Sequence, residues 1–331
     1  MKNTYDFHRE QAQLVKPSMA CRCTDYEIWK KAAREKLREL LGMEKYVSPG
    51  TPAQIEYDVQ QEGFREIRFL METEAGYLAP CHLWLPDGVK KPPVMICLQG
   101  HSPGMHISMG RLKTPEETPL IENGDRDFCI RALKEGFAAV ALEQRNFGEL
   151  QGEGRCLYSS LTAILQGRTT IGERVHDISV CIDTLEKQFA DLVDVGRISC
   201  MGNSGGGTAT AYAAALEDRI KLAMPSCAMC TYRDSVGAVP HCACNYIPHV
   251  AEFFDMDDLM AMAAPKYFIQ VSGLNDPENF PIEGAKEVFE KGSRVYEQLG
   301  IRNRCALVIG NGGHRFYADD AWPYVHQMLG Y

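Results

Sequence analysis

Short, uninterrupted apolar runs recur after Pro92-Pro93, at residues 94–98, 138–142, 198–201, 222–224, 267–271 and 306–309. Amphipathic stretches with helical spacing separate most of them, among them residues 127–135, 175–189, 208–216 and 282–299. Strands apolar on both faces that alternate with helices predict a mostly parallel, twisted sheet with helices on both faces. The pattern before Pro92 is different. Thr24-Asp25-Tyr26-Glu27 has the form of a capping box, and Ile28, Ala32, Leu37, Leu40 and Leu41 follow at roughly helical spacing up to Gly42. Residues 48–52 form a turn-rich joint, and residues 55–85 become strand-like. The organisation expected is an N-terminal helical extension over residues 1–52 and one α/β domain over residues 53–331, opening with antiparallel edge strands.

Composition narrows the partners. With 44 acidic against 35 basic residues the chain carries a net charge of -9, which disfavours nucleic acid and anionic membranes. The longest apolar runs are far too short to cross a bilayer, and the first residues lack an apolar stretch of signal-peptide length, so a cytoplasmic protein is expected. Thirteen cysteines, an odd number in a chain of this size, read as reduced and mostly buried thiols.

The chemistry sits at the polar tips that follow the apolar runs. Gly202-Asn203-Ser204-Gly205-Gly206 lies between a predicted strand and an alanine-rich helix. That is the strand–turn–helix setting that a Gly-x-Ser-x-Gly nucleophile turn requires. A glycine-rich anion-binding turn is the rival reading, but neither a following Lys-Ser/Thr nor a Gly-x-Gly-x-x-Gly pattern accompanies it. A serine hydroxyl needs a base that is itself oriented. His314 follows the last strand on Gly312-Gly313, and Asp276 follows the strand before it, in the order Ser…Asp…His. Asp234 and the Asp255–Asp258 group compete for the acid's place, as loop-tip acids that could equally be helix caps. The oxyanion donors expected are the backbone N–H groups of Gly205 and His101, with Gly100 as the alternative to His101.

With these residues in place the chain resembles the acetyl xylan esterase and dienelactone-hydrolase-like branch of the α/β-hydrolase superfamily, related to cephalosporin C deacetylases. The likeness is carried by Leu98-Gln99-Gly100-His101, Glu143-Gln144-Arg145-Asn146-Phe147-Gly148, Gly167-Arg168-Thr169, the Ser204 turn, Ser272-Gly273-Leu274-Asn275-Asp276-Pro277 and Gly312-Gly313-His314. The resemblance implies an α/β-hydrolase fold, a Ser204–Asp276–His314 triad, no metal or cofactor, and removal of small acyl groups from sugars or related alcohols. The chain departs from its relatives at Gln99, where many carry histidine, and at Gly205, where the deacetylases carry glutamine. Arg145-Asn146-Phe147-Gly148 replaces their Arg-Gly-Gln-Gly, and Ser204 the cysteine of dienelactone hydrolases. A peptidase, thioesterase or acyltransferase of the same fold, or an inactive binding module, stay open, as does a homo-oligomer. The partner expected is a small-molecule ester.

Other signals have blander readings. Cys227, Cys230, His241, Cys242 and Cys244 are metal-ligating types within 18 residues, but the single-residue spacing of the last pair fits tetrahedral zinc poorly. A Cys227–Cys230 redox pair is weaker still. Two long connections, residues 102–126 and 227–264, are expected to cover the centre, with His241, Tyr246, His249, Phe253 and Phe254 able either to shape a pocket or simply to pack. Arg145 suits a structural ion pair better than a substrate contact.

Overall fold

The computed structural model describes residues 1–22 and 25–330. Two helices, α1 (Thr4–Leu14) and α2 (Tyr26–Leu41), precede three antiparallel strands, β1 (Gln54–Gln61), β2 (Phe64–Glu74) and β3 (Tyr77–Pro86). The chain continues through β4 (Pro93–Leu98), α3 (Thr118–Glu122), α4 (Phe128–Lys134), β5 (Ala138–Leu142), α5 (Arg155–Leu165), α6 (Thr170–Gln188), β6 (Asp194–Asn203) and α7 (Gly205–Leu216). It ends with β7 (Ile220–Ser226), α8 (Val250–Phe253), α9 (Met256–Ala263), β8 (Tyr267–Gly273), α10 (Ile282–Gln298), β9 (Cys305–Gly310) and α11 (Ala318–Leu329). All six apolar runs fall within the six strands β4 to β9.

One nine-stranded sheet has the order β1-β2-β3-β5-β4-β6-β7-β8-β9, antiparallel from β1 through β3 to β5 and parallel from β5 to β9. Every residue of β4 and β5 is buried because helices cover both faces. On one face α2, α6, α7, α9 and α10 supply a core that includes Leu37, Ile178, Tyr212, Leu259 and Tyr296. On the other, α4 and α11 bury Phe128, Phe137, Phe316 and Trp322. All twelve residues of α7 are buried; its Gly, Ala and Thr positions let it lie close against the strands. The outermost strand, β1, is exposed and guarded by the pairs Arg65–Asp58 and Arg68–Glu56, which discourage edge-to-edge pairing.

The helix expected before Gly42 is α2, but its buried stripe differs. Ala33, Leu37 and Leu41 face the core at i, i+4, i+8, while Ile28 and Ala32 face solvent. A pattern with few apolar residues leaves the stripe's phase open to a one-residue error. Gly42 closes the helix at φ 71°, its N–H donating to the carbonyls of Arg38 and Glu39, a left-handed cap that glycine adopts without cost. The capping box expected at Thr24 lies outside the described residues; Asp25 itself makes no side-chain cap bond. The segment before α2 is pinned to the β7–α8 connection by Gln13 Nε2 on the Arg233 carbonyl and to α8 by Ser18 N on the Glu252 carbonyl. Among the described residues no helix is long and apolar enough to cross a membrane.

Candidate active site

Sheet topology selects the place. From β4 the chain moves to β5 on one side and later to β6 on the other, so the ends of β4 and β6 flank a crevice at the switch point. Ser204 stands at the end of β6, immediately before α7, with φ 57° and ψ −124°. A non-glycine residue there stores strain on the order of 1–3 kcal/mol, offset here by Ser204 N donating to the Ser226 carbonyl and by Thr208 N donating to the Ser204 carbonyl, both at 2.8 Å. The flanking glycines are a steric requirement. A Cβ on Gly202 would lie 2.5 Å from the Gly206 carbonyl carbon, and one on Gly206 would lie 2.1 Å from the Leu98 oxygen.

The loops after β8 and β9 are tied together by Leu274 N on the Gly310 carbonyl and Asn275 N on the Gly312 carbonyl. That tie brings His314 to Asp276. The imidazole Nδ1 lies 2.6 Å from Asp276 Oδ2, and Asn279 Nδ2 donates to Oδ1 of the same buried carboxylate at 2.9 Å. With Nδ1–H turned to a carboxylate, Nε2 carries the lone pair. Phe280 stacks on the imidazole, ring centroids 5.9 Å apart and planes 13° from parallel, and Arg126 Nη2 donates to the His314 carbonyl at 3.1 Å.

Ser204, Gly205, His101 and His314 line one pocket of about 310 Å³, together with Arg126, His241, Cys242, Asn245, Asn279 and Phe280. Among the described residues no hydrogen bond joins the Ser204 hydroxyl to the imidazole; the two share the pocket. The 99–101 loop lies against the serine turn so closely that a Cβ on Gly100 would meet Ser204 Cβ at 2.7 Å. Residues after β5 hold that loop. Gln99 Nε2 donates to Glu143 Oε1 at 2.6 Å, and Gln144 Nε2 donates to the Gln99 carbonyl. Burial pushes the Glu143 carboxyl up to about 7, against the pull of the N–H groups of Glu149 and Met105 that donate to it.

The competing acids serve elsewhere. Asp255 caps α9 in a reciprocal box with Asp258, and Asp234 accepts from Thr231 Oγ1. Arg145 is buried with both Nε and Nη2 on Asp177 at 2.8 Å and Nη1 2.7 Å from Glu74, over the Tyr77 ring. Of the five loop residues, only His241 lines this pocket. Phe254 is in the core, His249 pairs with Glu252 on the surface, and Tyr246 and Phe253 lie away from it. The cysteines do not group as their spacing in sequence implied. Cys227 Sγ turns to the Arg315 carbonyl beside Asp276 and His314, where burial pushes the thiol up to about 11, and Cys230 turns to Pro281. Cys242 and Cys244 instead meet His101 and Cys156. Arg126, Asn279, Phe280 and Glu143 were not singled out as site residues. Asn279 and Phe280 follow Asp276 by three and four residues, a proximity that could have flagged them.

A family model described as Abhydrolase family matches residues 6–159, which include β4 and the 99–101 loop but not Ser204. "Putative hydrolase YtaP" of Bacillus subtilis is 23% identical over 289 residues, 85% of this chain and 92% of its own. Among solved structures, a putative acetyl xylan esterase from Bacteroides fragilis superposes with a TM-score of 0.77 at 17% identity, covering 98% of this chain and 84% of that one. A glucuronoyl esterase from Solibacter usitatus gives 0.68 at 15% identity, covering 96% and 97%. The chain therefore has the α/β-hydrolase fold, and the solved structures that share it include proteins named as esterases.

Proposed function

We propose that the protein is a serine carboxylester hydrolase in which Ser204 is the nucleophile, His314 the general base and Asp276 the residue that orients it. The observation that carries this reading is the 2.6 Å contact of His314 Nδ1 with the buried Asp276 carboxylate, at the rim of the pocket that also holds Ser204. Ser204 attacks the ester carbonyl as its proton passes to His314 Nε2, and the imidazolium is held by Asp276. The carbonyl oxygen, now anionic, is received by the N–H of Gly205 at the start of α7 and by that of His101. The imidazolium returns its proton to the departing alcohol, leaving an acyl-enzyme. Water, deprotonated by the same imidazole, then releases the acid.

The substrate class proposed is a small acyl ester, such as an acetyl group, on a sugar or related alcohol. Its support is the modest pocket volume and a lining in which Arg126, His241, Asn245 and Asn279 offer polar contacts. The solved neighbours include proteins named as an acetyl xylan esterase, a methylesterase and glucuronoyl esterases. A cytoplasmic setting is proposed from the sequence, whose odd count of thirteen cysteines in a chain of this size suits a reducing compartment. The test is labelling with a fluorophosphonate, expected to be lost in Ser204→Ala, followed by a panel of acetylated sugars and aryl esters of increasing acyl length. Labelling that survives in Ser204→Ala removes the nucleophile from the proposal.

A further inference from the structure

Four metal-ligating side chains from three separate parts of the chain converge beside the pocket. His101 comes from the loop after β4, Cys156 from the first turn of α5, and Cys242 and Cys244 from the β7–α8 connection. Their ligand atoms, one nitrogen and three sulfurs, all lie within 4.8 Å of one another, and Cys244 Sγ is 3.4 Å from His101 Nε2. Tetrahedral zinc with bonds of about 2.3 Å to sulfur and about 2.0–2.1 Å to nitrogen places its ligands roughly 3.5–3.8 Å apart. A shift of about 1 Å at the most distant pair closes that shell. Three thiols and an imidazole are also the donor set that selects zinc over hard cations.

A second observation points the same way. Arg174 is a fully buried guanidinium whose Nη2 is 3.6 Å from Cys156 Sγ and which lies over the Phe147 ring. Its other hydrogen bond runs to the Arg145 carbonyl, and its Nε and Nη1 are buried without partners. A buried cation in such a place calls for an anionic neighbour. Three thiolates on one zinc ion carry a net charge of −1, which Arg174 offsets.

We propose that His101, Cys156, Cys242 and Cys244 form a structural zinc site that fastens the β7–α8 connection to α5 and to the oxyanion loop. Binding releases three thiol protons to solvent and involves no change of oxidation state. Four protein ligands fill the shell, so the ion holds structure and leaves the acyl transfer to Ser204. Because His101 and Cys242 both line the pocket, the ion sets the position of its wall. The site replaces the sequence-based expectation of a chain without metal: the sequence groups Cys242 and Cys244 with Cys227 and Cys230, whereas Cys156 and His101 are the partners in space.

The test uses the full chain, purified under reducing conditions. Elemental analysis is expected to find about one zinc per chain, and Co²⁺ added to chelator-treated protein to give thiolate-to-cobalt charge-transfer and tetrahedral d–d absorption. Cys156→Ser and Cys242→Ser are expected to lose the zinc and weaken the cobalt spectrum, whereas Cys305→Ser, at the start of β9, keeps both. Wild-type protein that holds no zinc and gives no cobalt charge-transfer band overturns the site, as does a disulfide among Cys156, Cys242 and Cys244 that zinc does not prevent. The wild-type cobalt spectrum decides the matter even if a serine variant fails to fold. Neither readout depends on esterase activity.

Discussion

His314 Nδ1 and Asp276 Oδ2 stand 2.6 Å apart across 38 residues of chain. Neither loop could hold this geometry alone. It depends on β8 and β9 pairing in register, so that Gly273 lies opposite Gly310 and the two loops leave the sheet together. The Asn279 amide on the other carboxylate oxygen leaves Asp276 one preferred orientation.

Replacing Asp276 by Asn is expected to lower kcat by on the order of 10³–10⁴-fold, because an amide no longer favours the Nδ1–H tautomer. The melting temperature should stay near that of the wild type if the loop tie through Gly310 and Gly312 holds. Steady-state kinetics beside a thermal melt measure both, and a kcat close to wild type would remove Asp276 from the triad.

Two glycines separate steric from conformational demand. A Cβ on Gly206 meets the Leu98 oxygen at 2.1 Å, whereas one on Gly136, at φ 82°, meets nothing within 4 Å. Gly136→Ala is expected to cost about 1–2 kcal/mol, the price of left-handed backbone alone. Gly206→Ala must push β4 away from α7, so its loss of stability should be clearly larger and accompanied by loss of activity. Equal denaturation midpoints for the two variants would contradict the packing described for the serine turn.

Arg145 is expected to act on stability. Arg145→Met leaves the Asp177 carboxylate buried without its bidentate partner, a loss of about 3–5 kcal/mol. Adding Asp177→Leu should recover part of it, since the unpaired charge is then gone. Chemical denaturation of the two variants checks this; a single variant as stable as wild type would place the load elsewhere in the Glu74–Arg168 network.

The pH dependence of stability carries a signature of Glu143. Burial raises its folded carboxyl to about 7 from an ordinary 4.5. The folded chain therefore binds this proton more tightly than the unfolded chain, and the contribution to stability is present below pH 4.5 and lost as pH rises through about 7. Glu143→Gln should flatten that slope, even though it weakens the contacts to Met105 and Glu149. Melting temperatures from pH 4.5 to 8 for both proteins measure the difference, and parallel curves would refute it.

The sequence by itself determined the strands β4 to β9, the antiparallel strands ahead of them and the serine turn. Each of these rests on rules local to a few residues: apolar runs for strands buried on both faces, alternation for edge strands, and glycine where a Cβ has no room. The order Ser204, Asp276, His314 was legible for the same reason, since each follows its own strand. Only the tertiary structure decided which loops meet. Asp276 and Asp234 both sit on loops among the later strands, yet register carries Asp276 to the imidazole and leaves Asp234 beside Thr231. Ala33 rather than Ala32 faces the core because the neighbouring elements set the rotation of α2. Cys156 and Cys244 are 88 residues apart and share no pattern. The switch between β5 and β6 on either side of β4 folds their elements over the same crevice, and strand order of that kind is a property of the whole sheet.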